Sequence, residues 1–162
     1  MVFIIIIEGI FLGLILVLYC AASIRNGSIN MVFLYHQDVQ ERCVKLGLIS
    51  DMQIKKNKKI FTVIFIPLFF ILVLFIVYAI NQVNTFSEGF LQTFALLSIV
   101  NLIDRFFIDE YWVGHTNSWI IPGTEDMRPY INCQDKIKKW LMGTFGFAIL
   151  SGILAGIMSF LE

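Results

Sequence analysis

The chain has 162 residues, of which 58% are hydrophobic and 15% are charged, and its mean hydropathy is +0.81. Soluble domains are about 45–50% apolar and about 25% charged, so this is not the composition of an ordinary soluble domain. The 12 basic and 12 acidic side chains give a formal net charge of zero, which gives nucleic-acid binding no global electrostatic support. Intrinsic disorder needs low hydrophobicity and is excluded as well. The composition predicts a small integral membrane protein.

Four apolar runs are long enough to span a bilayer, because a helix needs about 20 residues to cross about 30 Å of hydrocarbon. They cover residues 2–21, 60–80, 89–108 and 140–161. Barrel strands would be about ten residues long and would alternate in polarity, unlike these continuous runs. We therefore predict an all-α, integral membrane four-helix bundle that forms a single membrane domain over residues 1–162. Pro67 is expected to bend the second span.

The first run is expected to be retained as a spanning helix. A cleavable signal peptide has basic residues before its apolar core, whereas nothing basic precedes Ile4. A lipoprotein-type cut before Cys20 would need a small residue at the position of Tyr19.

The basic residues fall on one side of the predicted bundle. The connection 22–59 holds seven, the connection 109–139 holds four, and Arg105 at the end of the third span completes the 12. Cytoplasmic loops carry such an excess, so both connections are expected to be cytoplasmic and both termini outside. A lysine cluster is expected to anchor the second span against anionic lipid head groups. Its members are Lys55, Lys56, Lys58 and Lys59.

Both connections carry signals of amphipathic helices. In the first, apolar residues recur in steps of three and four, which predicts a helix over 29–47 that ends at Gly47. These residues are Val32, Tyr35, Val39, Cys43 and Leu46. This helix either lies on the membrane surface, which we favour, or binds a partner. The spacing of Ser50 and Gln53 predicts a capping box for the next helix. In the second connection, Thr124 is an expected N-cap followed by two carboxylates.

Small residues on the fourth span favour close helix packing. Gly152 and Gly156 form a Gly-x-x-x-Gly pattern, which brings the span against another helix of this chain or against a second copy in a homo-oligomer. The cysteines, Cys20, Cys43 and Cys133, form no C-x-x-C pair, and no disulfide framework is expected.

Ionisable residues inside a bilayer cost about 2.5–3.5 kcal/mol or more at its centre, so they are candidates for function. Glu8 is the clearest, since it lies within the first span. It serves either as a structural hydrogen bond, to a group such as Gln92 or Thr93, or in transport or ligand binding.

A second polar group lies at the end of the third span and includes Asn101, Asp104, Arg105 and Asp109. Arg105 and Asp109 are four residues apart, which predicts an ion pair on one helix and leaves Asp104 and His115 without a local partner. His36 and Asp126 lie on the same predicted side. If these groups converge, they form a pocket suited to a divalent metal or to acid–base chemistry. We favour the alternative, a solvated belt of interface charges.

The segment Asn101-Leu102-Ile103-Asp104-Arg105 resembles the Asn-x-x-Asp-Arg motif of lipoprotein signal peptidases. These are four-span aspartyl peptidases of comparable length that carry this motif near the end of the third span. The likeness covers five residues. The family's second catalytic motif, Phe-Asn-x-Ala-Asp, has no counterpart, because Asp126 follows Gly-Thr-Glu, and its first-loop Asn-Gly-Ala motif is missing. Those enzymes also act on the outer face, opposite to the side predicted for Asp104, and we interpret the match as a coincidence.

The favoured functional hypothesis is a non-catalytic binding, accessory or small transport component of the membrane. Its candidate binding residues are Glu8, His36, Asn101, Arg105 and Asp109. The alternative is a membrane-interface enzyme, metal-dependent or aspartyl and directed at lipid or peptide. It would use Asp104 with His115 or with a second carboxylate such as Asp126.

Overall fold

The computed structural model describes residues 2–161, with the side chains of residues 2–160. Within that range the chain forms α-helices, 3-10 helices and π-helical stretches, and no strand. The α-helical elements are α1 (Val2–Ile24), α2 (Gln37–Lys45), α3 (Asp51–Ile80), α4 (Phe86–Val113) and α5 (Cys133–Phe160). All of these except α2 are long and apolar enough to span a membrane, which confirms the predicted all-α four-helix architecture.

The helices α3 and α5 begin earlier than their apolar runs, because polar first turns project beyond the apolar part. The Ser50 hydroxyl accepts a hydrogen bond from the Gln53 backbone N–H at 3.2 Å at the start of α3. The Asn132 side chain accepts from the Asp135 N–H at 2.8 Å at the start of α5. Each cap satisfies a backbone donor that the helix itself leaves free. The two long connections, residues 25–50 (which include α2) and 114–132, are together called the cap, and residues 81–85 form a short turn between α3 and α4.

A π-helical stretch, Phe61–Phe65, lies directly before the turn that contains Pro67, and the predicted bend of the span stays a prediction. Proline lacks the N–H that an α-helix requires, and a π-helical turn absorbs the mismatch without ending the helix.

The helix α4 lies at the centre of the bundle, with α1 and α5 packed against it. In its most apolar stretch 39% of the residues are buried, against 17% in each of the other three long helices. The outer faces of those helices expose large apolar side chains such as Phe3, Ile71 and Phe160. This arrangement is typical of helices that face lipid.

Glycines of α1 determine how closely it approaches α4. A Cβ atom added at Gly9 would lie 2.8 Å from the Ile99 Cβ, and one at Gly13 would lie 3.3 Å from the Ile103 Cβ. In the predicted packing face on α5, nothing lies within 4 Å of a Cβ placed at Gly156, whereas the neighbouring Ala155 is fully buried. The Gly-x-x-x-Gly pattern that brings two helices together is therefore the one in α1. Contact of Gly156 with a second copy stays a prediction.

We expect the substitution Gly9→Ala to destabilise the bundle by about 1–3 kcal/mol, the usual cost of overpacking. The added methyl group would meet the Cβ of Ile99, which cannot move without its backbone. Thermal unfolding of the purified protein in detergent measures the effect. The matched control is Gly156→Ala, which adds the same methyl group in open space. Equal melting temperatures for the two variants would contradict the close contact.

The two loops of the cap pack together into one apolar core. The ring of Tyr35 stacks on that of Tyr130 at a centroid distance of 4.6 Å, and its hydroxyl donates to the Trp119 backbone carbonyl at 3.1 Å. Burial raises the pKa of Tyr35, so the hydroxyl stays protonated and keeps donating. Other buried members of this core are Met31, Val32, Val39, Cys43, Ile121 and Ile131. Both connections therefore lie at the same end of the bundle.

The single amphipathic helix predicted over 29–47 is wrong. A 3-10 helix, Ser28–Leu34, is followed by extended backbone at Tyr35, and only then does α2 begin. The contacts of Tyr35 with the other loop outweigh the local helical pattern. Four apolar residues of the pattern, Val32, Tyr35, Val39 and Cys43, are buried inside the cap, and only Leu46 is exposed, so the pattern does not form a free docking face. The end at Gly47 is confirmed: its φ is +71°, and the Leu48 N–H donates to the Cys43 carbonyl at 3.0 Å.

Thr124 does not cap a helix with its side chain as predicted. It precedes a 3-10 helix, Glu125–Met127, and its hydroxyl donates to the Ile121 carbonyl at 2.8 Å and lies 2.8 Å from the Tyr130 hydroxyl. The hydroxyl is drawn into the cap core, where it is fully buried.

Candidate functional site

Glu8 takes part in a polar network between helices at the end of the bundle opposite the cap. The Asn81 side-chain amide donates to the Glu8 carboxylate at 3.0 Å and to the Gln92 carbonyl oxygen at 3.0 Å. Gln92, a predicted partner of Glu8, therefore belongs to the network through Asn81. Thr93, the other predicted partner, is buried and has no hydrogen bond from its hydroxyl to any described residue.

Because Asn81 donates a hydrogen bond to Glu8, we expect two substitutions of Glu8 to differ in their effect on stability. Glu8→Gln keeps an acceptor oxygen for Asn81 and is expected to leave the melting temperature nearly unchanged. Glu8→Leu removes the acceptor and should cost about 0.6 kcal/mol and at most about 1.7 kcal/mol, the mean and the maximum measured for hydrogen bonds between membrane helices. Thermal unfolding in detergent tests both. A Glu8→Leu variant as stable as the parent would show that the bond is not structural and would leave Glu8 free for a transport or ligand role.

A cavity of about 380 Å³ lies between α1, α3 and α4 and extends into the cap. This volume is within the range of about 300–1,000 Å³ that is usual for ligand pockets. Its walls at the level of the spans are aromatic and aliphatic, contributed by Phe61, Phe65, Phe69, Phe70, Leu97, Val100 and Phe147. Its cap end is formed by Met31, Tyr35, Val113, Trp119 and Ile131. One wall is polar and contains four predicted site residues, Asn101, Asp104, Arg105 and Asp109, together with Lys139.

The polar wall is a chain of ion pairs centred on Arg105. Its guanidinium group donates to the carboxylates of both Asp104 and Asp109, and its Nε donates to the Asn101 side-chain oxygen at 3.3 Å. On the far side, the Lys139 ammonium group lies 3.1 Å from both carboxylate oxygens of Asp109. The predicted pair of Arg105 and Asp109 is thus present, and the expectation that Asp104 lacks a local partner is wrong.

The local helix geometry differs from the one assumed for these faces. The stretch Ile103–Val113 is π-helical. Its turn is wider than that of an α-helix, so residues share faces at a different spacing. Within this stretch, the carboxylates of Asp104, the sequence neighbour of Arg105, and of Asp109, four residues on, both accept from the same guanidinium group. At their formal charges, the two carboxylates of the wall balance the Arg105 guanidinium group and the Lys139 ammonium group.

The remaining predicted site residues do not join this cavity. The Nδ1 atom of His36 lies 3.3 Å from a carboxylate oxygen of Asp38. The Nδ1 atom of His115 lies 2.7 Å from the backbone carbonyl oxygen of Glu110. Asp126 is 4.0 Å from Arg42 on the surface of the cap. Across the described chain, no three His, Cys, Asp or Glu side chains are grouped so that they could hold a metal ion. The alternative considered from the sequence, a pocket of two imidazoles and several carboxylates, is not formed, because each of these groups has a different contact.

The aromatic residues that line the cavity were not predicted from the sequence. Phe65 and Phe69 line it and also line a fully apolar groove of about 300 Å³ between α1 and α3. Phe65 also stacks on Tyr19 of α1 at a centroid distance of 3.9 Å. These rings separate the cavity from the lipid-facing groove. An aromatic wall could have been predicted from the four-residue spacing of Phe61, Phe65 and Phe69 on one helix face.

Trp119 also forms part of the cavity wall. It is 1% exposed, and its indole N–H has no hydrogen-bond partner among the described residues. Buried donors without partners are rare in folded proteins.

Comparisons with protein-family models, with curated proteins and with solved structures found no match, so the function of this multi-pass helical protein is inferred from its own geometry.

Proposed function

We propose that this protein is a non-catalytic membrane component that binds an amphiphile of zero net charge in the cavity between α1, α3 and α4. The observation that carries the proposal is the composition of that cavity, which joins an aromatic, aliphatic wall to a wall of fully paired charges. An apolar chain fits the first wall, and a neutral polar head group fits beside the second.

The paired charges argue against a charged ligand. Arg105, Asp104 and Asp109 expose only 14%, 25% and 10% of their side chains, so water screens them weakly. An anionic head group would compete with the two carboxylates for Arg105, and a cationic one would compete with Arg105 for the carboxylates. Breaking a buried pair leaves an uncompensated charge and is strongly unfavourable.

The bilayer offers a route to this cavity. The groove on the far side of Phe65 and Phe69 is lined only by apolar residues and faces the lipid side of α1 and α3. Phe65 and Phe69 line both the groove and the cavity, so rotation of these two rings would let a chain pass from one to the other. Side-chain rotations of this kind are among the faster motions of proteins.

We further propose that the cap is cytoplasmic, with both termini outside. All 12 basic residues lie in the cap, in the adjoining helix turns or at Arg105, and both loops of the cap share one core. Lys55, Lys56, Lys58 and Lys59 at the start of α3 would then meet the anionic head groups of the inner leaflet.

Labelling of cysteines in intact cells with a membrane-impermeant maleimide tests the orientation. Cys133 is exposed at the start of α5, whereas Cys20 and Cys43 are buried. We expect Cys133 to react only after permeabilisation. In a Cys133→Ser background, Asn84→Cys in the exposed turn between α3 and α4 should react in intact cells. The reverse pattern would contradict the orientation.

The alternative function is a membrane-interface enzyme. The observation that favours it is the position of Asp104 and Asp109 on one guanidinium group at the cavity wall. These two would supply the pair of carboxylates, in place of the predicted pairings with Asp126 or His115.

Incubation with glycerol monolaurate tests this alternative. A binding protein should release no laurate from the bound glycerol monolaurate. Release that stops in Asp104→Asn and Asp109→Asn variants of unchanged stability would favour the enzyme.

Ligand retention tests the proposed binding directly. We expect the protein in lipid nanodiscs to retain one added glycerol monolaurate per chain in native mass spectrometry. The substitution Val100→Phe fills the cavity and should weaken retention at least tenfold. The matched control Ile149→Phe enlarges a side chain that is 66% exposed on the outer face of α5, and should behave as the parent. Equal retention by the two variants, each with a parent-like melting temperature, would contradict binding in the cavity.

A further inference from the structure

We propose that Trp119 selects the ligand by donating its indole N–H to an uncharged oxygen of the amphiphile. The bound molecule would therefore be an acyl ester or a polyol derivative, not a plain hydrocarbon or an alkylammonium. This inference rests on the proposed binding function and specifies the chemistry of the ligand.

The first support is the state of the Trp119 side chain. The residue lines the cavity, is 1% exposed, and has no hydrogen bond from its Nε1 atom to any described residue. An indole nitrogen only donates, so an oxygen of a bound molecule would supply the acceptor that it lacks among the described residues. Its ring packs at 88° to that of Trp112, with a centroid distance of 5.3 Å.

The second support is the rigidity of the segment that carries the indole. The Trp119 carbonyl accepts from the Tyr35 hydroxyl at 3.1 Å, and the next carbonyl, that of Ile120, accepts from the Ser28 hydroxyl at 2.9 Å. Both bonds tie the second cap loop to the first. The indole group is thus held in the core, where it cannot turn to water for an acceptor. A fixed donor of this kind adds affinity because little freedom is lost on binding.

The ion pairs of the polar wall disfavour a charged acceptor on the ligand. Arg105 and Lys139 already pair with carboxylates, so a phosphate or carboxylate would have to displace Asp104 or Asp109. An ester, ether or hydroxyl oxygen accepts from Trp119 without disturbing these pairs. An alkylammonium has no acceptor to offer at all.

The test uses the full chain in lipid nanodiscs with nitrogen-15 in its tryptophan indoles. Glycerol monolaurate is the oxygen-bearing probe, and dodecane is the probe that lacks oxygen. We expect glycerol monolaurate to move the Trp119 indole N–H resonance downfield in a saturable way, with dodecane producing a much smaller change. Trp140, outside the cavity, is the internal reference, and Trp→Phe variants assign the signals.

The matched variant is Trp119→Phe, which keeps an aromatic ring in the cap and removes the donor. Its affinity for glycerol monolaurate should fall about threefold to tenfold, as expected for a single neutral hydrogen bond, while its affinity for dodecane should not fall. Should this variant fail to fold, the resonance shift in the parent protein decides alone.

The outcomes separate this inference from the proposed function. Binding of glycerol monolaurate without a shift at Trp119, or with a shift equal to that from dodecane, overturns the role of Trp119 and leaves cavity binding intact. Absence of binding by either probe overturns the proposed function itself.

Discussion

Replacement of Arg105 by methionine is expected to destabilise the protein by about 3–5 kcal/mol, the usual cost of removing one partner from a buried ion pair. The substitution would leave Asp104 without its cation and Asp109 with Lys139 alone. Arg105→Lys should recover part of the loss, because one ammonium group cannot pair with both carboxylates in the way a guanidinium fork does. Thermal unfolding in detergent gives the comparison.

Arg25→Met is the matched control for this prediction. Arg25 is exposed just after the end of α1, so its removal should change the melting temperature little. If Arg105→Met melted like Arg25→Met, the wall would be solvated as first expected from the sequence, and the argument for a neutral head group would fail.

Loss of the Tyr130 side chain is the second large effect that we expect. Tyr130 is 4% exposed, its ring stacks on Tyr35, and its hydroxyl accepts from the Ile121 backbone N–H at 3.2 Å. Tyr130→Ala would open a hole in the cap and leave that N–H unpaired, at a cost of about 3–5 kcal/mol. We expect protease sites in residues 114–132 to become accessible while the spanning helices stay protected.

Tyr111→Ala serves as the control, because Tyr111 is 59% exposed and lies outside the cap core. A cap that resisted proteolysis equally in both variants would not be held by the contact between its two loops. Tyr130→Phe separates the two contributions, since it keeps the stacked ring and removes only the hydroxyl.

The parts of the fold that depend on local sequence could be predicted. A spanning helix needs only a continuous apolar run, and a turn such as that at Gly47 needs only a residue that tolerates positive φ. The pair of Arg105 and Asp109 was also accessible, since both partners lie on one helix. The same reasoning identified Asn101, Asp104, Arg105 and Asp109 as one polar group, and these residues do line the cavity.

The parts that depend on contacts between distant segments could not be predicted. Asn81 became the partner of Glu8 because the turn between α3 and α4 brings it back over α1, which no periodicity reveals. Tyr35 interrupts a regular helical pattern because Tyr130 and Trp119 hold it. Asp104 was misjudged because the rule for pairs three or four residues apart does not consider sequence neighbours, and its partner is the adjacent Arg105. His36, His115 and Asp126 share a side of the membrane in the sequence prediction, but each stays with a neighbour in its own loop or across the cap surface.

The most direct measurement is the ratio of the affinities of the parent protein for two amphiphiles with the same chain and different charge. Glycerol monolaurate and dodecyl phosphate, added separately to the protein in nanodiscs and measured by native mass spectrometry, provide that comparison. Because the charges of the polar wall are already paired, we expect the affinity for glycerol monolaurate to be at least tenfold higher than that for dodecyl phosphate. Equal affinities, or a preference for dodecyl phosphate, would contradict the proposal that this cavity binds an amphiphile of zero net charge.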